Sequence, residues 1–184
     1  MIHSLLFTGH MIDAPYRKNP RFPPFKEVAV KEQIRKYLKN EKELSKGDLQ
    51  GIASGACGGD ILFHELCAEL GIPTQMYLAL EIEAFKNKSV SFAGKDWELR
   101  YDQLNRVLPV HILPNVNGNQ NSQNVWERTN LWMLDIAISN GGENMSLIAL
   151  WDGKGGDGNG GTEHMVDIAK KRGARISIID INKV

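Results

Sequence analysis

Short apolar runs that end in glycine or polar turns alternate along this chain with segments whose apolar residues recur every three to four positions. Residues 4–8 (SLLFT) run into Gly9 and read as a buried strand and a turn. Residues 27–44 place Val30, Ile34, Tyr37 and Leu38 on one helical face. Residues 50–56 read as a strand entering a Gly-rich turn, 60–70 as a helix apolar on most sides that stops at Gly71, and 73–80 as a strand. Further on, 96–108 reads as helix, 109–113 as strand, 124–139 as helix and 146–151 as strand. Residues 162–172 then read as a helix ended by Gly173, and 175–181 as the last strand. Strands alternating with helices of this length imply an α/β fold: a doubly wound, Rossmann-like three-layer sandwich with a mainly parallel sheet. No repeat, low-complexity linker or heptad divides residues 1–184, so a single domain is expected.

Composition narrows the function classes. The chain has 184 residues, with 22 Lys+Arg balanced by 22 Asp+Glu, and 42% of it is hydrophobic. Disordered chains combine low hydrophobicity with high net charge, which excludes that class here. No run approaches the roughly 18 apolar residues needed to span a bilayer, so no membrane partner is expected. The opening residues lack a basic region and a small-residue cleavage site, so a cytoplasmic location is expected. Cys57 and Cys67 make neither a disulfide framework nor a zinc motif, so no metal and no cofactor is expected. Zero net charge argues against broad nucleic-acid binding. Residues 17–46 carry ten basic and four acidic residues. Lys and Glu alternate there, which reads as the solvated face of a helix.

Glycine is unevenly placed. Of 18, four are Gly51, Gly55, Gly58 and Gly59, and eight lie between Gly141 and Gly161. In an open α/β sheet, ligands bind beyond the carboxyl ends of the strands. That rule selects Thr8, Gly9 and His10; then Ser54, Gly55, Ala56, Cys57, Gly58, Gly59 and Asp60; then the stretch from Asp152 to Glu163. The second and third lead into helices, whose free N–H groups and dipole suit a phosphate. Tight turns and caps without a ligand are the alternative. The chain has no GxxxxGK[ST], no GxGxxG after the first strand, no HExxH and no GxSxG.

The run GIASGACGGDILFHELCAELGI (51–72) resembles the strand–SG-A-xGxD–helix unit of the SLOG superfamily, which includes DNA-processing protein A and the LONELY GUY-type proteins often misannotated as lysine decarboxylases. WERTNLWMLDIAI (126–138), LIALWDG (147–153) and NGGTEHMVDIAKKRG (159–173) resemble the LONELY GUY order of an Arg-bearing helix, an apolar strand, a Gly-Gly-x-Gly-Thr phosphate loop and a helix. The TGH of Thr8, Gly9 and His10 is similar to the first-strand turn of that superfamily. The resemblance implies a domain that binds a nucleotide or nucleotide-derived small molecule, as sensor domains of bacterial stress and anti-phage systems do. The LONELY GUY branch implies the alternative, an N-glycoside hydrolase of nucleoside 5′-monophosphates. Members often dimerise, which makes a second copy a candidate partner. The chain departs from the branch in its loop. The enzymes carry glutamate two and three positions after Gly-Thr, whereas Glu163 directly follows Gly161 and Thr162, and 153–159 form an insertion.

Candidate residues follow. Phosphate contact is assigned to the backbone of 54–59 and to Gly160, Gly161 and Thr162. Glu163 and Arg128 are the catalytic candidates of the hydrolase reading. Arg128 either forks onto a phosphate or pairs with Glu127 or Asp135. Asn130 is a candidate for a ribose or base. Arg17 and Arg21 lie in a long loop stiffened by Pro15, Pro20, Pro23 and Pro24, which reads as a basic flap or a plain surface loop. Asp60 reads as a helix cap, and also as a ribose ligand. Cys57 reads as a small buried thiol, His64 as a packed residue, and His10 as a group aimed at the pocket. Trp97, Arg100 and Tyr101 either stack on a base or pack their helix. Single-stranded DNA binding, by analogy with DNA-processing protein A, rests only on the basic segment.

Overall fold

A computed structural model of the chain describes residues 2–45, 48–114, 124–154 and 161–184. Its elements are β1 (His3–Gly9), α1 (Glu27–Leu44), β2 (Leu49–Ala53), α2 (Gly59–Glu69), β3 (Thr74–Leu78), α3 (Ile82–Ser89), α4 (Lys95–Val107), β4 (Val110–Ile112), α5 (Asn124–Ala137), β5 (Met145–Trp151), α6 (Thr162–Lys171) and β6 (Arg175–Asp180). The expected elements are all present with ends shifted by a few residues. The expectation left 81–95 unassigned, where the chain forms α3 and a short 3-10 turn at Ser91–Ala93. An eight-residue helix offers too few turns for its apolar period to stand out.

All six strands are parallel and lie in the order β4-β3-β2-β1-β5-β6. The chain steps outward from β1 to β4, then crosses back over β1 to place β5 and β6 on the other side. Each parallel connection needs a helix, and the reversal of direction divides the helices between the two faces. Leu5 and Phe7 of β1, with Met76, Leu78, Ile148 and Leu150, meet Val30, Ile34 and Leu38 of α1, Ile61, Leu62 and Leu66 of α2, and Trp97 and Tyr101 of α4. Leu6, on the opposite side of β1, joins Ile52, Leu147 and Ala149 beneath Met133, Leu134 and Ala137 of α5 and Met165, Val166 and Ala169 of α6. Period-two alternation thus feeds two cores, which explains why the central strands read as continuous apolar runs. Each large side chain so buried contributes about 1.5–3 kcal/mol.

The basic helix α1 departs from a purely solvated face. Glu41 is wholly buried against the amino ends of β1, β5 and β6. Its Oε2 accepts from Ser146 Oγ at 2.8 Å and from Arg175 Nη2 at 2.9 Å. His3 Nε2 lies 2.9 Å from the same Ser146 Oγ. No described helix is long and apolar enough to cross a membrane.

Candidate functional site

The strand order reverses between β1 and β5, and the crevice beyond the carboxyl ends of those two strands is where an open α/β sheet offers a ligand site. β1 pairs with β5 up to Gly9 and Leu150, and His10 N–H continues the ladder to Leu150 O at 3.1 Å. The next residue on each strand's exit is the chemically capable one. His10 Nε2 lies 3.2 Å from the backbone N of Asp152 and 3.3 Å from its Oδ1. A bond from the Asp152 N–H makes Nε2 an acceptor, so the neutral imidazole carries its proton on Nδ1. Burial lowers the proton affinity of His10; the Asp152 carboxylate opposes that, and the Arg21 and Arg17 guanidinium groups add to it. The net direction is below an ordinary histidine. Burial disfavours the Asp152 carboxylate, but the Lys154 N–H, His10 and Arg21 hold it below the usual carboxylate range. Lys154 N–H donates to Asp152 Oδ1 at 3.1 Å, and Asn182 Nδ2 donates to Asp152 O at 2.9 Å.

The proline-stiffened loop after Gly9 is a strap tied down over this crevice. Met11 bridges Gly58 in antiparallel fashion, Ile12 N–H donates to Cys57 O at 3.1 Å, and Gly59 N–H donates to His10 O at 3.2 Å. Asp13 N–H donates to Phe22 O at 2.8 Å, and the Arg21 N–H returns to the Asp13 carboxylate at 2.9 and 3.1 Å. Ile12 and Phe22 are buried and anchor the two legs. Closure at Asp13 and Phe22 brings Arg17 and Arg21 to one side of the crevice. Arg17 Nε lies 3.5 Å from Asp13 Oδ1 and donates to Asn19 O at 3.0 Å. Tyr16, at the tip, holds φ 63° and is fully exposed.

The glycine turn at 54–59 is explained in large part by the protein itself. Gly58 has φ 102°, and a Cβ there would stand 2.5 Å from Ile12 N and 3.0 Å from His10 O, so the strap's backbone occupies the space a side chain would need. Cβ atoms at Gly9, Gly55 and Gly59 would press on Leu150, Met76 and Phe7 at 2.7, 2.8 and 2.9 Å. Three N–H groups expected to meet a phosphate donate inside the chain: Ala56 to Asp60 Oδ2 at 3.2 Å, Cys57 to Ser89 O at 2.9 Å, and Gly59 to His10 O. Asp60 is not the cap of α2. Gly58 holds that position without a side-chain bond, and Asp60 sits buried in the first turn, folded back onto Ala56. Burial pushes its carboxyl up to about 7, against the bond from Ala56.

The other candidates sort by place. Thr8 is buried within β1. Cys57 is wholly buried and its thiol is pushed up to about 12, chiefly by desolvation. His64 is a core residue: Nε2–H donates to Ser54 O and Nδ1 accepts from Thr74 Oγ1, both at 2.9 Å. Trp97 and Tyr101 are buried under α4, and Arg100 lies over the Trp97 ring while its guanidinium grips Glu65 and Glu27. These three pack the helix layer. Arg128 Nη2 donates to Pro114 O at 3.3 Å, beside the exit of the edge strand β4, four strands along the order from β5. Its alternative partner Asp135 binds Arg172 instead, at 2.8 Å. The described structure therefore does not gather Arg128 with His10, Arg17 and Arg21. Asn130, half-buried, shares helix α5 with it. Gly161 precedes α6, Thr162 opens it, and Glu163 stands exposed in its first turn. Gly160 and most of the insertion, like 115–123 of the second long loop, lie outside the described residues.

Asp13, which orders the strap, escaped the sequence reading; Asp152 entered it as the first residue of a selected stretch, but its pairing with His10 did not. Asp152 directly follows the apolar run of β5, and the carboxyl-end rule applied to single residues selects it. Among the described residues no group of three or more His, Cys, Asp and Glu is arranged to hold a metal ion. In comparisons with protein-family models, curated proteins and solved structures, nothing matches the chain.

Proposed function

We propose that this chain binds a nucleotide or nucleotide-derived phosphate ligand in the crevice between the carboxyl ends of β1 and β5, as a ligand-binding or sensor domain of SLOG type. One observation carries the reading: a strap pinned by its own backbone holds two arginines, Arg17 and Arg21, beside the half-buried His10–Asp152 pair at the point where the strand order reverses. Guanidinium groups recognise phosphate through paired, charge-assisted bonds. Gly161 and Thr162 at the start of α6 lie beyond the same strand end, where a helix start favours negative charge. The resemblance to nucleotide-binding proteins in the glycine runs points the same way. A hydrolase would draw on Glu163; its exposure in the first turn of α6, and its register one position after Gly161 and Thr162, favour binding over catalysis as the primary reading.

Thermal unfolding against mononucleotides, dinucleotides, cyclic nucleotides and ADP-ribose derivatives tests this. A ligand present at a hundred times its Kd stabilises by about 2.7 kcal/mol, which for a chain of this size is a rise of roughly 5–10 °C. The rise should vanish in an Arg17→Gln/Arg21→Gln double variant. Stabilisation by no phosphate-bearing compound overturns the reading.

A further inference from the structure

Charges at the crevice come in opposed pairs. Asp13 Oδ1 lies 3.5 Å from Arg17 Nε, and Asp152 Oδ1 lies 3.3 Å from His10 Nε2 within reach of the Arg21 charge. With His10 neutral, the guanidinium groups of Arg17 and Arg21 are matched by the carboxylates of Asp13 and Asp152. A phosphate ligand adds negative charge to these groups, and beside His10 and Asp152, whose side chains are largely withdrawn from water, an excess charge is costly unless something answers it.

His10 can answer it without moving. Neutral, its Nε2 accepts from the Asp152 N–H at 3.2 Å; protonated, the same atom directs its new N–H to the Asp152 carboxylate 3.3 Å away. Other charged groups around the ring have their own engagements. On the strap, Arg17 pairs with Asp13; at the start of α2, Asp60 turns to Ala56 N–H; at the end of β6, Asp180 pairs with Lys183 at 3.0 Å; past β5, Lys154 meets Asp152 through its backbone N–H. Arg21 and Arg17 oppose a positive imidazole, and that opposition fades when an anion engages them.

We infer that His10 is the proton acceptor of this site: a phosphate ligand held by Arg17 and Arg21 is taken up together with one proton, carried on His10 Nε2 against Asp152. The inference rests on the phosphate-binding reading above. The proton comes from solvent; an Nε2–H bond forms, and the hydrogen bond from the Asp152 backbone gives way to one toward its side chain.

Two measurements test it. In the ligand-free protein, imidazole NMR titration, with His10 assigned through His10→Gln, should place the His10 midpoint below that of an ordinary histidine. Arg21→Gln should raise the midpoint and Asp152→Asn should lower it; a midpoint indifferent to both overturns the inference. Calorimetry with adenosine 5′-monophosphate, or whichever panel nucleotide stabilises the protein most, is then run in buffers of different ionisation enthalpy. Proton uptake should approach one per ligand near neutral pH and be lost in His10→Gln, which retains any protonation of the phosphate itself. Between the free and bound midpoints, affinity should weaken by up to about tenfold per pH unit as pH rises. Binding with equal uptake in wild type and His10→Gln overturns the inference and leaves the phosphate-binding reading standing. Failure of every phosphate compound to bind overturns both.

Discussion

Glu41, wholly buried on α1, accepts a 2.9 Å bond from Arg175 Nη2 at the start of β6, across 134 residues of sequence. The pair lies at the amino edge of the sheet, opposite the crevice. Its two members differ in their access to water: the Arg175 side chain is 43% exposed and the Glu41 side chain 1%. Removing the arginine strands a buried carboxylate, whereas removing the glutamate leaves a guanidinium that reaches solvent. Arg175→Ala is therefore expected to cost about 3–5 kcal/mol and Glu41→Ala less. Urea unfolding with an unchanged m-value checks the order, and equal losses would contradict it.

Asp60 makes folding less favourable as pH rises. Its carboxyl titrates near 3.8 in the unfolded chain and at about 7 when folded, because burial opposes the charge. Between those values the folded state holds the extra proton, so this contribution to stability is complete at low pH and is lost as pH climbs through the window. Asp60→Asn, which keeps an oxygen for Ala56 N–H, should gain on wild type from pH 4 to pH 7 by on the order of a few kcal/mol. Paired urea curves at several pH values measure the gain.

His64, on the same helix, has the opposite sign. Burial lowers it from 6.5 to about 4, so its contribution is present above 6.5 and lost as pH falls toward 4. His64→Gln should cost about 1–3 kcal/mol at neutral pH, since Thr74 and Ser54 lose buried partners. That deficit should shrink in acid. Because the two slopes oppose each other, each single variant exposes the slope of the group that remains.

Gly58 and Gly173 both hold positive φ, at 102° and 84°, but a Cβ at Gly58 meets backbone at 2.5 Å and one at Gly173 meets nothing within 4 Å. Gly173→Ala should cost about 1–2 kcal/mol, the price of left-handed backbone alone. Gly58→Ala must also push the strap aside, so it should cost more and weaken any phosphate compound that stabilises the wild type. Thermal shifts with and without that compound separate the two effects.

Arg21 and Arg128 stand at different places along the carboxyl edge. Arg21 acts on both His10 and Asp152, while Arg128 reaches Pro114 O beside β4. Arg21→Gln should weaken phosphate binding about ten- to hundredfold, the loss of one charge-assisted contact of about 1.5–3 kcal/mol. Arg128→Gln should leave it within twofold. Calorimetric titration decides, and the reverse ranking would move the ligand toward β4.

The sequence by itself determined every strand, every helix but α3, and the sheet's parallel sense, because apolar period is local: Leu5, Leu6 and Phe7 must be buried on both sides whatever their partners, and Val30, Ile34 and Leu38 must share a face. It also marked the carboxyl ends of the strands as the candidate ligand edge, since that is where parallel strands joined by helices leave a crevice. Only the tertiary structure decided what meets there. His10 and Asp152 are 142 residues apart, and they become neighbours because the chain crosses back over β1 to place β5 beside it. The tertiary structure likewise turned part of the glycine excess from open cradle to close packing, since Ile12's backbone fills the space beside Gly58. It buried Glu41 in a helix that reads as solvated, since the compensating charge arrives from β6. Strand order and register set these pairings, and neither is a property of any one segment.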